Sequence, residues 1–410
     1  MHIECSNGSP IASTLGHIPP LPLFVNYGDP KVGYRGKVSP PGQDELWIHH
    51  ALRLHDRIRH IKLTLPSSIS PEVLALLDKH FPILEHLSLW FWFSATNGTP
   101  LTLPKAFLTP NLRNLSLVGI RLPKRLQLLT STVSLVTLNL CKIETSSFIR
   151  PRLLVTRLQY LTQLKELSID FSIPIPRPST ERRLLGERGA PVTLPSLKKL
   201  RFKGVGAYLE CLMAQIRAPH LERLEITLFN QIVFALPRLS HFINISEGIK
   251  PSLARAFFSR DGVSVTTAFH NSRGLGGPFH LHMMCKSLDW QIDCAAQICN
   301  ELIQAISCVE EFRLECPYDF QIPTALQDGA IDGTTWHELL RSFVSMKELH
   351  ISRGLTGEVS RALQMDEVGL DPGFLPNLQS INALDNLYTS FIETRQVVGR
   401  PVQFLRRPYY

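Results

Sequence analysis

FPILEHLSLWF, Phe81–Phe91, and TPNLRNLSLVGI, Thr109–Ile120, both place LxxLxL behind a lead-in that carries proline. The same apolar triplet falls at Leu84, Leu87, Leu89; Leu112, Leu115, Leu117; Leu135, Leu138, Leu140; Leu164, Leu167, Ile169; Leu197, Leu200, Phe202; and Leu221, Leu224, Ile226. Weaker copies stand at Val309, Phe312, Leu314 and at Met346, Leu349, Ile351. Ile58, Ile61 and Leu63 open the series, and Leu378 with Ile381 closes it. Leu239 and Phe242 begin one more copy, but Asn244 occupies its third apolar place. A helix turns about 100° per residue, so offsets of zero, three and five scatter around it and cannot be buried together. In a strand the last two share a face, while the first folds inward from the preceding turn. The triplet therefore predicts a short strand.

Helical spacing fills the gaps. In SPEVLALLDKHF, Ser70 is a candidate N-cap, Pro71 suits the first helical position, and Glu72 complements the helix dipole. RPRLLVTRLQYL, GAYLECLMAQI, DCAAQICNELIQAI and TTWHELLRSFV continue the alternation, with triplets spaced mostly by the twenties and low thirties of residues. This resembles the leucine-rich repeat, in which one strand plus one helix cannot bury its own apolar face and stacking of neighbours closes the core. The expected fold is α/β, an irregular leucine-rich-repeat solenoid (horseshoe) with a parallel concave sheet and helices or loops on the convex side. The asparagine ladder of such repeats is missing: three residues beyond the triplets stand Trp92, Ile120, Ile143, Ser172, Val205, Phe229 and Gly354. Other hydrogen bonds must close the turns, as in ribonuclease-inhibitor-like horseshoes with irregular repeat lengths.

The array is expected over residues 43–395. Residues 1–42 are Gly- and Pro-rich with little periodicity and are read as irregular, and residues 396–410 as a basic tail. The Pro-rich stretch from Ser172 to Pro191 reads as a loop inserted in the fifth repeat. From about residue 245 to 300 the register fades; ARAFFSRDGVSVTTAF and FHLHMMC read as strands, extra ones on the convex side.

Apolar residues at 44% and charged residues at 19% exclude a wholly disordered chain. The net charge of +8 is uneven: residues 1–250 carry 30 Lys/Arg against 17 Asp/Glu, and residues 251–410 carry 13 against 18. A basic half suits nucleic acid, anionic lipid or an acidic protein, and charge alone does not choose. No run of about 18 apolar residues is present to span a bilayer, and MHIECSNGSP lacks the features of a secretory signal. Eight irregularly spaced cysteines read as reduced, mostly buried thiols. A soluble protein of the cytoplasm or nucleus is expected, without cofactor and without membrane contact.

DELWIHHALRLHDRIRHIKL, FPILEHLSL, LPKAFLTPNLRNLSLVGI, LTSTVSLVTLNL and LDWQIDCAAQI resemble fungal F-box-like proteins with leucine-rich repeats. The resemblance implies a substrate-recognition subunit of a cullin-type ubiquitin ligase, its F-box binding the adaptor subunit while the repeats hold the target. The F-box itself is not visible: residues 1–30 carry too many Pro and Gly for three helices. A cullin adaptor is thus an expected partner only if that module lies upstream of Met1. A scaffold or regulatory protein-interaction module is the alternative, and a hydrolase on a repeat fold a remote third.

Residues interleaved with the buried strand positions should face solvent along the concave sheet. They give the candidate protein-binding set Trp90, Asn114, Asn139, Glu166, Asp170, Lys199, Arg201, Lys203, Arg223 and Glu225. Lys199, Arg201 and Lys203 put three cations on one strand face. Either Glu166, Asp170 and Glu225 compensate them within the fold, or an acidic or phosphorylated target does. Trp90 reads as an anchor for a partner or as packing at a capping edge.

Catalytic and metal signatures are sparse. His49, His50, His55 and His60 follow no HExxH spacing, and His280, His282 and Cys285 lack a second ligand cluster. Cys294, Cys299 and Cys308 lie in an apolar helical segment and read as buried thiols. Gly204-Val-Gly206 and Gly274-Leu-Gly276 read as turns; no phosphate-binding GxxxxGK[ST], GxSxG elbow, zinc-finger spacing or RNP-like segment occurs. A non-catalytic binding protein is expected.

Overall fold

Each triplet becomes a strand entered from a turn. The computed structural model describes residues 3–5, 21–28, 43–66, 70–92, 101–105, 107–122, 127–144, 147–174, 190–229, 235–246, 252–268, 278–285, 288–317, 333–364 and 374–406. The chain divides into two compact units, Met1–Gly204 with Gln215–Pro219, and Val205–Ala214 with His220–Tyr410.

In the first unit β1 (Ile3–Cys5), β2 (Leu23–Tyr27), β3 (Ile58–Pro66), β4 (His86–Trp92), β5 (Asn114–Val118), β6 (Thr137–Ile143) and β7 (Glu166–Phe171) pair in chain order. A short β8 (Val192–Thr193) leaves this sheet to pair with β10 (Ile216–Arg217), and β9 (Lys199–Gly204) takes the next place beside β7. All of these pairings are parallel. Their register sets Ile61, Leu87, Leu115, Leu138, Leu167 and Leu200 in one row across the sheet, each at most 1% exposed. Burying each leucine stabilises by about 1.5–3 kcal/mol relative to leaving it in water. This shared row is why single repeats cannot fold by themselves.

Backbone hydrogen bonds close the turns that enter the strands. Leu112, Leu135, Leu164 and Leu197 each donate a backbone N–H three residues back, to Thr109, Thr132, Leu161 and Leu194. One carbonyl of the previous repeat then receives two donors: Glu85 O from Arg113 and Asn114, Arg113 O from Val136 and Thr137, and Lys165 O from Lys198 and Lys199. The residue just before the first leucine adds a side chain, Asn111 Nδ2 to Pro82 O at 2.6 Å and Ser134 Oγ to Pro110 O at 3.4 Å. Backbone polar groups that face the core side are thereby satisfied.

Helices form where the spacing predicts them. Ser70–Leu76 is one, and Pro151–Leu158 starts with proline at its first turn and buries Leu154, Val155 and Leu158. Within residues 1–42, the described segments hold β1 and β2, which extend the sheet, with Leu23 and Val25 fully buried. Most of the expected insertion, residues 175–189, lies outside the described residues.

In the second unit the strands are β11 (Arg223–Leu228), β12 (Leu253–Phe258), β13 (Val263–Ala268), β14 (Phe279–Met283), β15 (Glu311–Glu315), β16 (Glu348–Ile351), β17 (Ser380–Ala383) and β18 (Gln403–Arg406). Their spatial order is β11-β14-β13-β12-β15-β16-β17-β18. The strands expected as convex extras belong to the main sheet: β14 is parallel to β11, β12 is parallel to β15, and β13 runs antiparallel between β12 and β14. The tight link around Asp261 and Gly262 permits only an antiparallel return. The sheet is thus not parallel throughout.

Leu239 and Phe242 belong to a helix, Pro237–Asn244, not to a further strand copy; with Ile243 they form its buried stripe. That helix has no side-chain cap of its own at Leu236. Glu210, from the helix Gly206–Met213, supplies one at long range, its carboxylate accepting the backbone N–H groups of Arg238 and Leu239 at 2.9 Å each. Of the stretch expected as a tail, residues 396–406 are described: the helix Thr389–Val397 runs into it and β18 pairs with β17.

Candidate protein-binding surface

On the open face of the first unit, register aligns three polar rows. One runs Phe24, His60, His86, Asn114, Thr137, Glu166, Lys199. The next includes Ser88, Ser116, Asn139, Ser168 and Arg201, where Asn139 Nδ2 donates to Ser116 Oγ at 3.1 Å. The third begins Thr64, Trp90, Val118, Cys141 and resumes with Asp170 and Lys203.

Between Cys141 and Asp170 the ladder slips. Leu140 pairs with Ile169 and Ile143 with Phe171, so Cys141 and Lys142 together oppose Asp170. This is a β-bulge, and Lys142 takes a left-handed backbone with φ of 53°. A lysine that strict alternation would send into the core is turned outward and is exposed. Its Nζ lies 5.6 Å from the centroid of the Trp90 ring. Sequence reasoning missed Lys142, because only the bulge brings it to this face. Trp90 itself is 38% exposed.

Lys203 Nζ stands 3.6 Å from Asp170 Oδ1. Burial pushes the Asp170 carboxyl up, against the pull of Lys203, Arg201 and Lys142. Three cations therefore converge on one half-buried carboxylate. Cys141 donates to Asn139 Oδ1 at 2.9 Å, and burial followed by Asp170 pushes its thiol up, so it stays protonated and is a poor nucleophile.

The second unit behaves differently. Glu225, expected to compensate the lysine strand, pairs with Arg223 at 2.6 Å. Arg255 pairs with Glu315, and the buried Glu311 accepts from Arg313 Nε at 2.6 Å and lies 3.2 Å from His350 Nε2.

The histidines are engaged elsewhere. His60 stacks on His86 with centroids 5.2 Å apart, and His55 Nδ1 lies 3.0 Å from His80 O. His280 and His282 bond through Nδ1 to Thr266 and Ser264 at 2.9 and 2.8 Å. Among the described residues no group of three His, Cys, Asp or Glu is placed to hold a metal, and no helix is long and apolar enough to cross a membrane. Cys294 and Cys299 are buried, burial raising the Cys299 thiol to about 12, whereas Cys308 sits past the helix and is exposed.

Burial, then His86 and Lys62, hold the His60 imidazole below its ordinary 6.5. The unfolded chain takes up that proton first, so the stability His60 contributes is present above about pH 6.5 and is lost as pH falls through the window beneath it. The melting temperature should drop between pH 7 and pH 5.5, and less steeply in His60→Phe. Parallel pH curves for the two proteins would contradict this.

Among solved structures, the chain is similar to TLR13 in the TLR13–ssRNA13 complex, at 12% identity and a TM-score of 0.33, over 95% of this chain and 47% of that one. It is also similar to LegL7, a leucine-rich repeat-containing protein from Legionella pneumophila, at 12% identity and a TM-score of 0.28, over 98% of this chain and 99% of that one. The chain spans about half the length of the first. No family model and no curated protein matches it.

Proposed function

We propose that this leucine-rich-repeat protein is a non-catalytic protein-binding module that captures an acidic or phosphorylated target on the open face of its first unit. One observation carries the reading: Lys199, Arg201 and Lys203 on β9 and Lys142 on the bulge of β6 share that face with an exposed Trp90. A carboxylate or phosphate on the target would add charge-assisted hydrogen bonds to this cluster. The finer role, substrate recognition for a cullin-type ubiquitin ligase in the cytoplasm or nucleus, is supported by the resemblance of the repeats to fungal F-box-like proteins.

Changing Lys199, Arg201 and Lys203 together to Glu should weaken capture of acidic partners at least about tenfold, by analogy with disrupted interfacial charge pairs. Circular dichroism checks that the fold is kept. An unchanged partner list would remove this site from the account. Affinity purification of the full-length transcript product, with any upstream exon, should recover the cullin adaptor; no association would reject the ligase role while leaving the binding module intact.

A further inference from the structure

The open face of the first unit is polarised along one row. Trp90 and Val118 make an apolar end on β4 and β5, and the cations gather around Asp170 and Lys203 on β7 and β9. Lys142, on the bulge of β6, stands between the two ends, its ammonium over the Trp90 ring and its charge felt by Asp170. Neighbouring strands lie about 4.8 Å apart, so the four steps from β4 to β9 cover about 19 Å, the reach of about six residues of extended chain.

We propose that this row holds an extended protein segment carrying an apolar side chain over Trp90 and an acidic or phosphorylated side chain about six residues away over Arg201 and Lys203, with Lys142 as the residue that couples the two ends. The inference rests on the protein-binding reading above and adds to it the partner's chemistry and spacing. Lys142 covers the indole in the free protein. An incoming anion draws the ammonium toward itself and leaves the ring for the apolar group, so each end favours the other. Only a local bulge puts a lysine there. Its left-handed backbone is unfavourable for a non-glycine residue and is held by the strands paired on either side of β6. Asp170 orients the cations and competes with the ligand for them.

The probes are fluorescein-labelled peptides with Phe at one end, three Glu at the other, and Gly-Ser spacers of two, five or eight residues, titrated by anisotropy against the full chain. The five-residue spacer should bind tightest, several-fold better than the two-residue one and better than the same peptide with Gly for Phe. Lys142→Gly keeps the backbone and should lose at least about fivefold of that affinity. Trp90→Ala should abolish the preference for Phe, and Asp170→Asn should tighten binding by freeing the cations. Affinity indifferent to spacer and to Phe would overturn the inference, as would an oligo(dT) strand that outcompetes every peptide and marks the face as a nucleic-acid site. Target capture lost in the triple glutamate variant yet insensitive to Trp90→Ala and Lys142→Gly would sink this inference alone; capture insensitive to the triple variant would sink the broader reading with it.

Discussion

Replacing Leu138 by alanine is expected to lower the unfolding free energy of the first unit by about 2–5 kcal/mol, measured by urea denaturation. The side chain is fully buried and sits at the middle of the leucine row, in register with Leu115 on one side and Leu167 on the other. Its removal leaves a cavity bounded by strands already paired on both edges. They are held by backbone hydrogen bonds and cannot close over the gap, so both the lost transfer energy and the cavity count. Asn139→Ala, one residue along but on the open face, removes a hydrogen bond to Ser116 and should cost only about 1 kcal/mol. Equal costs at the two positions would mean that residue parity does not separate core from surface here.

Gly262→Ala is expected to destabilise the second unit by about 3 kcal/mol. Gly262 closes the turn between β12 and β13, where Ser259 N–H and Oγ donate to its carbonyl at 2.9 and 2.8 Å. A Cβ added there would fall 1.8 Å from the carbonyl oxygen of Met283, in the neighbouring strand β14. The backbone must move, and the Val263–Met283 pairing moves with it. Gly357 offers the opposite case. It lies in the helix Thr356–Gln364 with nothing within 4 Å of an added Cβ, and Gly357→Ala should be neutral or stabilising by up to about 1 kcal/mol. A melting curve unchanged by Gly262→Ala would show that β14 does not lie against this turn.

The repeat was legible because each strand needs the same three buried positions, and a leucine spacing of three and two is incompatible with a helix. Leu84, Leu112, Leu135, Leu164 and Leu197 are buried at the turns as that spacing requires. What escaped the sequence depends on contacts between distant residues. Period-two alternation marks β12, β13 and β14 as strands but does not say which neighbour each will pair with. Glu210 caps a helix 28 residues away, with no local signature at Leu236. On the candidate surface, strand parity placed Trp90, Asp170 and Lys203 on one face. The same parity hid Lys142, which reaches that face only through the slip between Leu140 and Ile143. Glu225 pairs with Arg223, two residues back on its own strand, a contact that the alternation of the strand does not announce.

The central claim is that consecutive repeats of the first unit bury one leucine each in a single registered row. Methyl–methyl NOEs in leucine-labelled protein test it most directly. An unbroken relay is expected from Leu87 to Leu115, Leu138, Leu167 and Leu200, with no cross-peak between Leu87 and Leu167. A spectrum in which these methyls contact unrelated residues, or in which the relay skips a neighbour, would contradict it.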